Sequence, residues 1–448
     1  MPQTEKHDWA DCLQIAAASD VGMRRSNNQD HFGVSLAPNW EEWQKRGHLL
    51  IVADGMGAHA AGELASEIAV EQVRHLYAKY ISKRPAMALT AAIEEANLII
   101  NRRGESNAAF HKMGTTCSSL LILPQGAVIG HVGDSRIYRL RGDKLEQLTF
   151  DHSMAWEIKA ATAGKEYSED VYAAIPKNVI TRSLGPSPEV AVDLEGAFPL
   201  EVGDTFLMCS DGASGPISDA EIALIMHSME PWKAAQLVID LANLRGGPDN
   251  ITVIVAKVTG EPLVNDPCKS DPLIAEDDLP PPTIEREQRT VPRKVWAIIA
   301  LLLFAAAIAN HFMLPVYALA GLLMAVVAAI LAVVYKFSGK LIEVPVKKTF
   351  RFGKGPYSET VCNADSPTSL NLKIMYDELR DAALSNNWTI QWEGVEPLGQ
   401  RAEDELKKGE YYQAAKHYLS AIGALMSQIR GQKGPRNPLE DDSRVDLA

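Results

Sequence analysis

The chain has 448 residues, of which 46% are hydrophobic, 23% are charged and 7% are aromatic. This balance excludes a disordered or fibrous protein, and at roughly 100 to 200 residues per domain the length predicts several folded units. Acidic residues outnumber basic ones by 57 to 44, and the resulting net charge of −13 argues against a protein whose main partner is nucleic acid.

The cysteines and the N-terminus bear on the cellular compartment. The five cysteines are scattered, and none forms a Cys-x-x-Cys pair. Such a set predicts neither a disulfide framework nor a zinc site, and it indicates a reducing compartment. The polar N-terminus, Met1-Pro2-Gln3-Thr4, lacks the apolar segment of a cleavable secretory signal.

The first predicted domain, residues 1–259, alternates short apolar runs with longer periodic ones. The runs predict strands at 48–53, 117–123, 127–131, 136–141, 205–209 and 251–258, and helices at 61–80, 87–102 and 231–244. The turn signal Pro124-Gln125-Gly126 predicts an antiparallel hairpin between two of the strands. Hairpins mixed with blocks of helix favour an α+β fold over a parallel doubly wound sheet.

A linker and an apolar segment follow. Residues 260–292 are rich in proline and acidic side chains, which predicts an extended linker. The run 295–335 holds no Lys, Arg, Asp or Glu. A span needs about 20 apolar residues to cross a ~30 Å hydrocarbon core, so we predict a transmembrane hairpin at 293–336 with spans near 295–314 and 316–335. The alternative is a hairpin buried in a soluble core.

Basic residues flank this run on both sides, as at Lys294 and Lys336, but are absent from the connection at 310–315. By the positive-inside rule, both soluble parts are expected on the cytoplasmic side of the inner membrane.

The last predicted domain, residues 337–448, is mainly helical. In its segment 400–430, small and aromatic residues recur with the spacing of a tetratricopeptide-like helical hairpin, and Gly409 stands at the predicted turn. One repeat cannot bury a solenoid core, so an ordinary helical pair is an equal alternative. If the pair is exposed, it would offer a surface to a protein partner.

Five aspartates in the first domain form a candidate site. Four of them stand at the ends of apolar runs beside glycine or a tight turn, and the set is Asp30, Asp54, Asp134, Asp211 and Asp249. Carboxylates at strand ends converge at one sheet edge, where their repulsion is relieved by cations. Oxygen ligands alone favour Mg²⁺ or Mn²⁺ over zinc or copper.

Six short motifs follow one another in this domain. They are Asp20-x-Gly-x-x-Arg-x-Asn-Asn-Gln-Asp30, Asp54-Gly-Met-Gly-Ala-His59-x-x-Gly-Glu63, Gly114-Thr-Thr116, Gly133-Asp-Ser-Arg136, Ser210-Asp-Gly212 and Asp249-Asn-Ile-Thr252. In this order they resemble the metal-dependent protein serine/threonine phosphatases of the PP2C (PPM) type, in their bacterial form. The resemblance implies two packed antiparallel sheets flanked by helices, and hydrolysis of phosphoserine and phosphothreonine by a metal-activated water.

The resemblance also implies metal ligands by position. Two Mn²⁺ or Mg²⁺ ions are expected in the catalytic site, with Asp54 bridging both. The carbonyl of Gly55 would hold one ion, Asp211 with Asp249 would hold the other, and Asp30 would act through a metal-bound water.

Three further roles follow from the same resemblance. A third metal, often found in bacterial members, would be held by Asp134 together with Asp211. Arg25 resembles the family's phosphate-binding arginine, a task that suits the bidentate guanidinium. His59 resembles the general acid that protonates the departing seryl or threonyl oxygen.

The chain departs from the family pattern in places. Gln29 stands where many relatives have Glu, which removes one charge near the metals. Ala58 replaces a glycine before His59 and could stiffen that loop. The variable segment near the cleft, 151–185, carries no readable specificity code.

The expected partners are phosphorylated proteins, among them serine/threonine kinases or their substrates, together with the membrane. The main hypothesis is an active phosphatase that opposes cytoplasmic kinases at the membrane. The alternatives are a membrane-anchored scaffold that binds phosphoproteins with little catalysis, and an adaptor acting through the C-terminal domain. Hydrolysis of nucleic-acid phosphodiesters is disfavoured by the acidic balance.

Overall fold

The computed structural model describes residues 9–57, 60–161, 179–264, 273, 283–286, 293–311, 315–337, 341–344 and 352–432. These residues form two compact units. The first comprises the described residues of 1–275 and 351–448, and the second those of 276–350.

The strands of the first unit form two antiparallel sheets. They are β1 (Leu13–Asp20), β2 (Asp30–Ser35), β3 (His48–Met56), β4 (Gly114–Thr115), β5 (Cys117–Leu123), β6 (Gly126–Val132), β7 (Arg136–Arg141), β8 (Lys144–Gln147), β9 (Asp193–Phe198), β10 (Thr205–Cys209), β11 (Ile251–Val258) and, after the second unit, β14 (Ser358–Val361). One sheet has the order β1-β11-β10-β7-β8-β14, and the other has the order β2-β3-β5-β6-β9 with β4 paired to β3.

The described residues of the first unit also form helices, several of which lie on the outer faces of the sheets. They are α1 (Trp40–Arg46), α2 (Ala61–Lys79), α3 (Pro85–Ser106), α4 (Met154–Ala161), α5 (Asp211–Ser214), α6 (Asp219–Ser228), α7 (Pro231–Leu244), α10 (Ser366–Ser385), α11 (Glu396–Lys408) and α12 (Tyr411–Gln432).

Alternation along the strands produces three apolar layers, because successive strand side chains point to opposite faces. On β3, Leu50 and Val52 pack between the two sheets with Phe206 of β10, whereas Leu49 and Ile51 face α2 and α3. The outer face of the other sheet packs on α6 and α7. Two packed antiparallel sheets flanked by helices were expected from the sequence, and the structure confirms this α+β fold.

The C-terminal residues 352–432 are part of the first unit. Strand β14 pairs antiparallel with the edge strand β8. Helices α10, α11 and α12 share one apolar core with α6 and α7, in which Leu372, Tyr418 and Leu425 lie beside Leu237 and Val238. We call the contacts between 352–432 and the rest of this unit the C-terminal interface.

Helices α11 and α12 form a hairpin whose turn contains Gly409 in the left-handed conformation, with φ of 82°. That conformation costs glycine nothing and other residues about 1 kcal/mol or more, so the glycine suits the turn. Assignment of this hairpin to the tetratricopeptide family has no support from the structure.

The second unit contains two helices and a short strand pair. Its helices are α8 (Arg293–His311) and α9 (Pro315–Phe337), and its strands β12 (Thr283–Arg286) and β13 (Leu341–Val344) pair antiparallel. Many apolar side chains of the helices are exposed, including Leu301, Phe304 and Leu323. Among the described residues, no helix was identified as both long and apolar enough to cross a membrane. The predicted transmembrane hairpin is therefore without support from the structure.

Candidate active site

The pairing of β2 with β3 brings the first two aspartates together. Asp30 begins β2 and lies directly opposite Asp54 in the antiparallel register. Just beyond, Gly55 pairs with Thr115 of β4. A Cβ atom on Gly55 would lie 2.1 Å from the carbonyl oxygen of Gly62, so only glycine fits this crowded point next to Asp54.

The other sheet contributes three aspartates at the same end of its strands. Cys209, the last residue of β10, lies opposite Arg136 of β7 and Val253 of β11. Asp134 therefore precedes β7, Asp211 follows β10 and Asp249 precedes β11 at one edge. We call Asp30, Asp54, Asp134, Asp211 and Asp249 the aspartate cluster.

The cluster is an accumulation of buried like charge. Burial, followed by the charges of Asp30 and Asp211, raises the pKa of Asp54 well above its usual value. Burial also raises the pKa of Asp30 and of Asp134 from 3.8 to about 7, with the charge of Asp211 adding to both. Each carboxylate thus destabilises the charged form of its neighbours, and a nearby cation would stabilise those charged forms.

Carboxylate oxygens without a hydrogen-bond partner show whether these residues suit a divalent cation. Among the described residues, Asp30 Oδ1, Asp134 Oδ1 and Asp211 Oδ1 are buried without a hydrogen-bond partner. Buried polar atoms in proteins are nearly always paired, so three unpaired acceptor oxygens in one cluster fit a positively charged ligand. Oxygen donors of this kind suit Mg²⁺ or Mn²⁺.

The cluster is not arranged as a complete metal site. No group of three or more His, Cys, Asp or Glu within the described ranges forms one. Burial and neighbouring acids raise the pKa of Asp30 and of Asp54, so these carboxyls bind protons more tightly than an ordinary carboxyl. A proton and a divalent cation compete for the same oxygens, so a cation binds these carboxylates only as their protons leave.

Neutral side chains hold the cluster in place. The Ser210 hydroxyl donates to Asp30 Oδ2 at 2.6 Å. The backbone N–H of Asp54 donates to Thr116 Oγ1 at 2.8 Å, and the Thr115 hydroxyl donates to the Asp54 carbonyl at 2.9 Å. These partners explain why Ser210 and the Thr115-Thr116 pair stand inside the sequence motifs.

Arg25 lies at the open side of the cluster. Its Nη2 is 2.7 Å from Asp249 Oδ2, and its side chain is 48% exposed. The guanidinium therefore keeps donor groups on the solvent side, where it can reach a phosphate in the cleft.

The structure brings together Arg25 and all five predicted aspartates, with Gly55 beside Asp54. The predicted general acid His59 lies outside the described residues, as does Ala58.

Sequence reasoning missed other residues of the cleft. The cleft has a volume of about 930 Å³, and beside Arg25, Asp134, Asp211 and Asp249 it is lined by Arg136, Asp151 and Trp156. Arg136 binds Asp151 through an ion pair of 2.7 Å. Arg136 was read only as the end of a motif and Asp151 only as the start of a variable segment, although an Arg and an Asp near strand ends are a recognisable signal.

Comparisons with known proteins agree with the motifs. The family description "Protein phosphatase 2C" matches residues 23–242. Protein phosphatase PhpP of Streptococcus pneumoniae is 35% identical over 266 residues, which cover 56% of this chain and 99% of PhpP. Serine/threonine protein phosphatase PstP of Mycobacterium tuberculosis is 34% identical over 247 residues, which cover 55% of this chain and 45% of PstP.

Solved structures include the M. tuberculosis phosphatase PstP/Ppp, with 34% identity and a TM-score of 0.48 over 55% of this chain and 99% of that one. A structure of the PstP catalytic domain in complex with two manganese ions has 33% identity and a TM-score of 0.45, over 55% of this chain and 99% of that one. Since PhpP is covered almost completely at this identity, the chain belongs to the protein phosphatase 2C family of metal-dependent protein serine/threonine phosphatases, which use Mn²⁺ or Mg²⁺.

Proposed function

We propose that this chain hydrolyses phosphoserine and phosphothreonine on cytoplasmic phosphoproteins and opposes serine/threonine kinases. The observation that carries the proposal is the aspartate cluster, in which three buried carboxylate oxygens have no partner among the described residues, at the edge where both sheets end. Such unpaired charge destabilises the fold and is retained where a function uses it.

The residue roles follow from this arrangement. Asp54, Asp211 and Asp249, with the Gly55 carbonyl, would hold two Mn²⁺ or Mg²⁺ ions, and Asp134 with Asp211 would hold a third. When bound, such ions lower the pKa of a water and neutralise charge that develops on the phosphoryl oxygens. Asp30 is held by the Ser210 hydroxyl and would orient that water through a hydrogen bond.

Arg25 would position the substrate. Its guanidinium lies in the cleft and is already oriented by Asp249. A fork of parallel N–H groups matches two phosphoryl oxygens, so Arg25 would fix the direction of the phosphate relative to the cluster.

His59 would act as the general acid, a role that rests on its place in the Asp-Gly-x-Gly-x-His motif. An alkoxide leaving group needs a proton and a nitrophenolate does not. His59→Ala should therefore slow hydrolysis of a phosphoserine peptide by about 10²- to 10⁴-fold and spare an aryl phosphate. Equal loss on both substrates would assign His59 to structure or metal binding.

We also propose that the protein acts at the inner membrane, with its first unit cytoplasmic. The support is the charge-free run 295–335, its basic flanks and the exposed apolar side chains of α8 and α9. A thiol reagent that cannot cross the membrane should label Asn310→Cys in intact cells, and should label Cys268 only in opened cells. Recovery of the chain in the soluble fraction would contradict this location.

The deciding experiment is hydrolysis of a phosphothreonine peptide by the full chain. Turnover should require Mn²⁺ or Mg²⁺ and stop in excess chelator, because the carboxylates alone repel the phosphate. Full activity in chelator would contradict the proposal. Binding of the phosphopeptide without turnover in either metal would favour the scaffold alternative.

A further inference from the structure

A second cavity adjoins the catalytic cleft and has the C-terminal residues as one wall. It has a volume of about 690 Å³, within the roughly 300–1,000 Å³ typical of ligand sites. Arg136 and the segment Ser214-Gly215-Pro216 line both this cavity and the cleft, so the two are directly adjacent. We call this cavity the side groove.

Helix α10 supplies the far wall. Thr368, Asn371 and Met375 line the side groove, and their spacing places them on one face of the helix. Asn371 is exposed, while Thr368 and Met375 are half-buried. The neighbouring face of α10, with Leu372 and Tyr376, is buried in the core shared with α6 and α7.

The wall is held in a defined position. Asp365 caps α10 by accepting a hydrogen bond of 2.8 Å from the Thr368 N–H. The Ser369 hydroxyl donates to the Tyr411 carbonyl of α12 at 2.8 Å. A groove with one wall held by packing and hydrogen bonds can discriminate between ligands, because that wall does not move to accommodate a ligand of the wrong shape.

The charges of the side groove are matched. Arg136 pairs with Asp151 and Asp219, and Arg245 pairs with Glu221 and also donates to the Pro216 carbonyl. The groove therefore offers little net charge to attract a second phosphate. Serine, threonine and asparagine side chains supply hydrogen-bonding groups, and the thioether of Met375 adapts to apolar side chains of varied shape.

We propose that the side groove binds the polypeptide of the phosphoprotein substrate next to its phosphorylated residue, and that α10 thereby sets substrate preference. The proposal rests on the proposed phosphatase function. The occupant follows from this adjacency, since a peptide whose phosphate reaches Arg25 and the aspartate cluster would pass Pro216 and α10 as it leaves the cleft. Uncharged polar and apolar residues are the flanking sequence that this lining suits.

The test fills the groove without disturbing the cleft. Asn371→Trp in the full chain places a large ring on the exposed wall, and Leu370→Trp is the matched control, because Leu370 is exposed on another face of α10. The substrates are p-nitrophenyl phosphate and a phosphothreonine peptide of about eleven residues, which spans about 35 Å when extended.

We expect Asn371→Trp to lower the ratio of kcat/KM for the peptide to kcat/KM for the aryl phosphate by about tenfold, mainly through KM, since it removes binding and not chemistry. Leu370→Trp should leave the ratio unchanged. An unchanged ratio for Asn371→Trp, or an equal fall for both substrates, would overturn the proposal. Failure of the unsubstituted chain to hydrolyse either substrate with Mn²⁺ would instead reject the phosphatase function itself.

A second measurement separates the groove from general peptide binding. Phosphothreonine with blocked ends has no flanking residues to place along α10. Asn371→Trp should act on this compound as it does on the aryl phosphate, and a loss as large as that for the long peptide would contradict the groove as the binding site.

Discussion

The aspartate cluster and the C-terminal interface both contain buried acidic side chains, but they differ in whether those side chains have partners. In the cluster, three buried carboxylate oxygens have no partner among the residues that the structure describes, and neighbouring acids raise one another's pKa. At the C-terminal interface, buried Asp240 pairs with Arg430, and buried Glu195 accepts hydrogen bonds from the Tyr357 hydroxyl and the Gly355 N–H.

The difference shows what each region is built to do. A buried acid that pairs with a group on another surface favours one arrangement of the two surfaces. Moving the surfaces apart would leave the acid charged and unpaired in an apolar environment. A buried acid without a partner lowers stability and gains a favourable interaction only when a cation arrives. In this protein, buried acids with a partner therefore belong to a structural contact, and the buried acids of the aspartate cluster belong to the reactive centre.

The largest effect is expected on catalysis from the cluster. Asp54→Asn and Asp211→Asn should each lower kcat for a phosphothreonine peptide by several orders of magnitude, about 10³-fold or more, because each removes a charged ligand. In chelator the same variants should be no less stable than the parent chain, since they relieve repulsion. Asp404→Asn, on the exposed side of α11, is the control and should match the parent. Near-native turnover of either cluster variant would contradict the ligand assignment.

Breaking the interface pair should act on stability and not on chemistry. Arg430→Met leaves Asp240, which is 3% exposed, without its cation. We expect a loss of about 2 kcal/mol in the free energy of unfolding, less than for a fully buried pair because the Arg430 side chain is one-third exposed. Denaturant titration measures the loss, and kcat per folded molecule should be unchanged.

The double variant Asp240→Asn with Arg430→Met removes both charges and should recover most of that loss. If the double variant is as unstable as Arg430→Met alone, the stabilisation comes from packing of the arginine and not from the ion pair.

Without metal, the stability of the folded chain should depend on pH through the acids of the aspartate cluster. Because the pKa values of Asp30 and Asp134 are raised from 3.8 to about 7, the folded chain binds protons more tightly than the unfolded chain. Their stabilising contribution is full below about pH 4 and is lost as pH rises through about 7. In chelator, the unfolding free energy should fall over this range by at least about 1 kcal/mol relative to an Asp30→Asn/Asp134→Asn variant.

Metal ions should reverse that trend. Since protons and cations compete for the same oxygens, Mn²⁺ affinity measured by calorimetry should weaken as pH is lowered below about 7. An affinity independent of pH would show that these carboxyls are already ionised in the folded chain.

The smallest effect is expected at the exposed rim of the C-terminal interface. Lys144 and Glu359 form an ion pair of 2.9 Å with side chains 46% and 50% exposed. Lys144→Ala should leave the unfolding free energy unchanged within the error of a denaturant titration, because solvent screens the pair. A cost equal to that of Arg430→Met would mean that exposure does not govern charge energetics at this interface.

Local pattern accounts for much of the catalytic half of the fold. The predicted strands at 117–123, 136–141, 205–209 and 251–258 and the helix at 231–244 have the bounds found in the structure. Each of these elements has either a continuous run of apolar residues or apolar residues that recur every 3.6 positions. Its pattern therefore indicates directly which of its side chains are buried. The aspartates were found from the same information, because strand ends and glycine turns are visible in the sequence.

The sequence by itself therefore determined the elements of the phosphatase domain and the residues of its reactive edge. Only the tertiary structure decided that residues 352–432 add strand β14 to the catalytic sheet and complete a core with α6 and α7. Strand β14 has only four residues, which alternate between half-buried and exposed, and the partners Asp240 and Arg430 are 190 positions apart. A residue pattern indicates how much of the surface of a strand or helix must be buried. It does not indicate which other element covers that surface, because this depends on the shapes and charges of residues that are distant in the sequence and meet only in the folded chain.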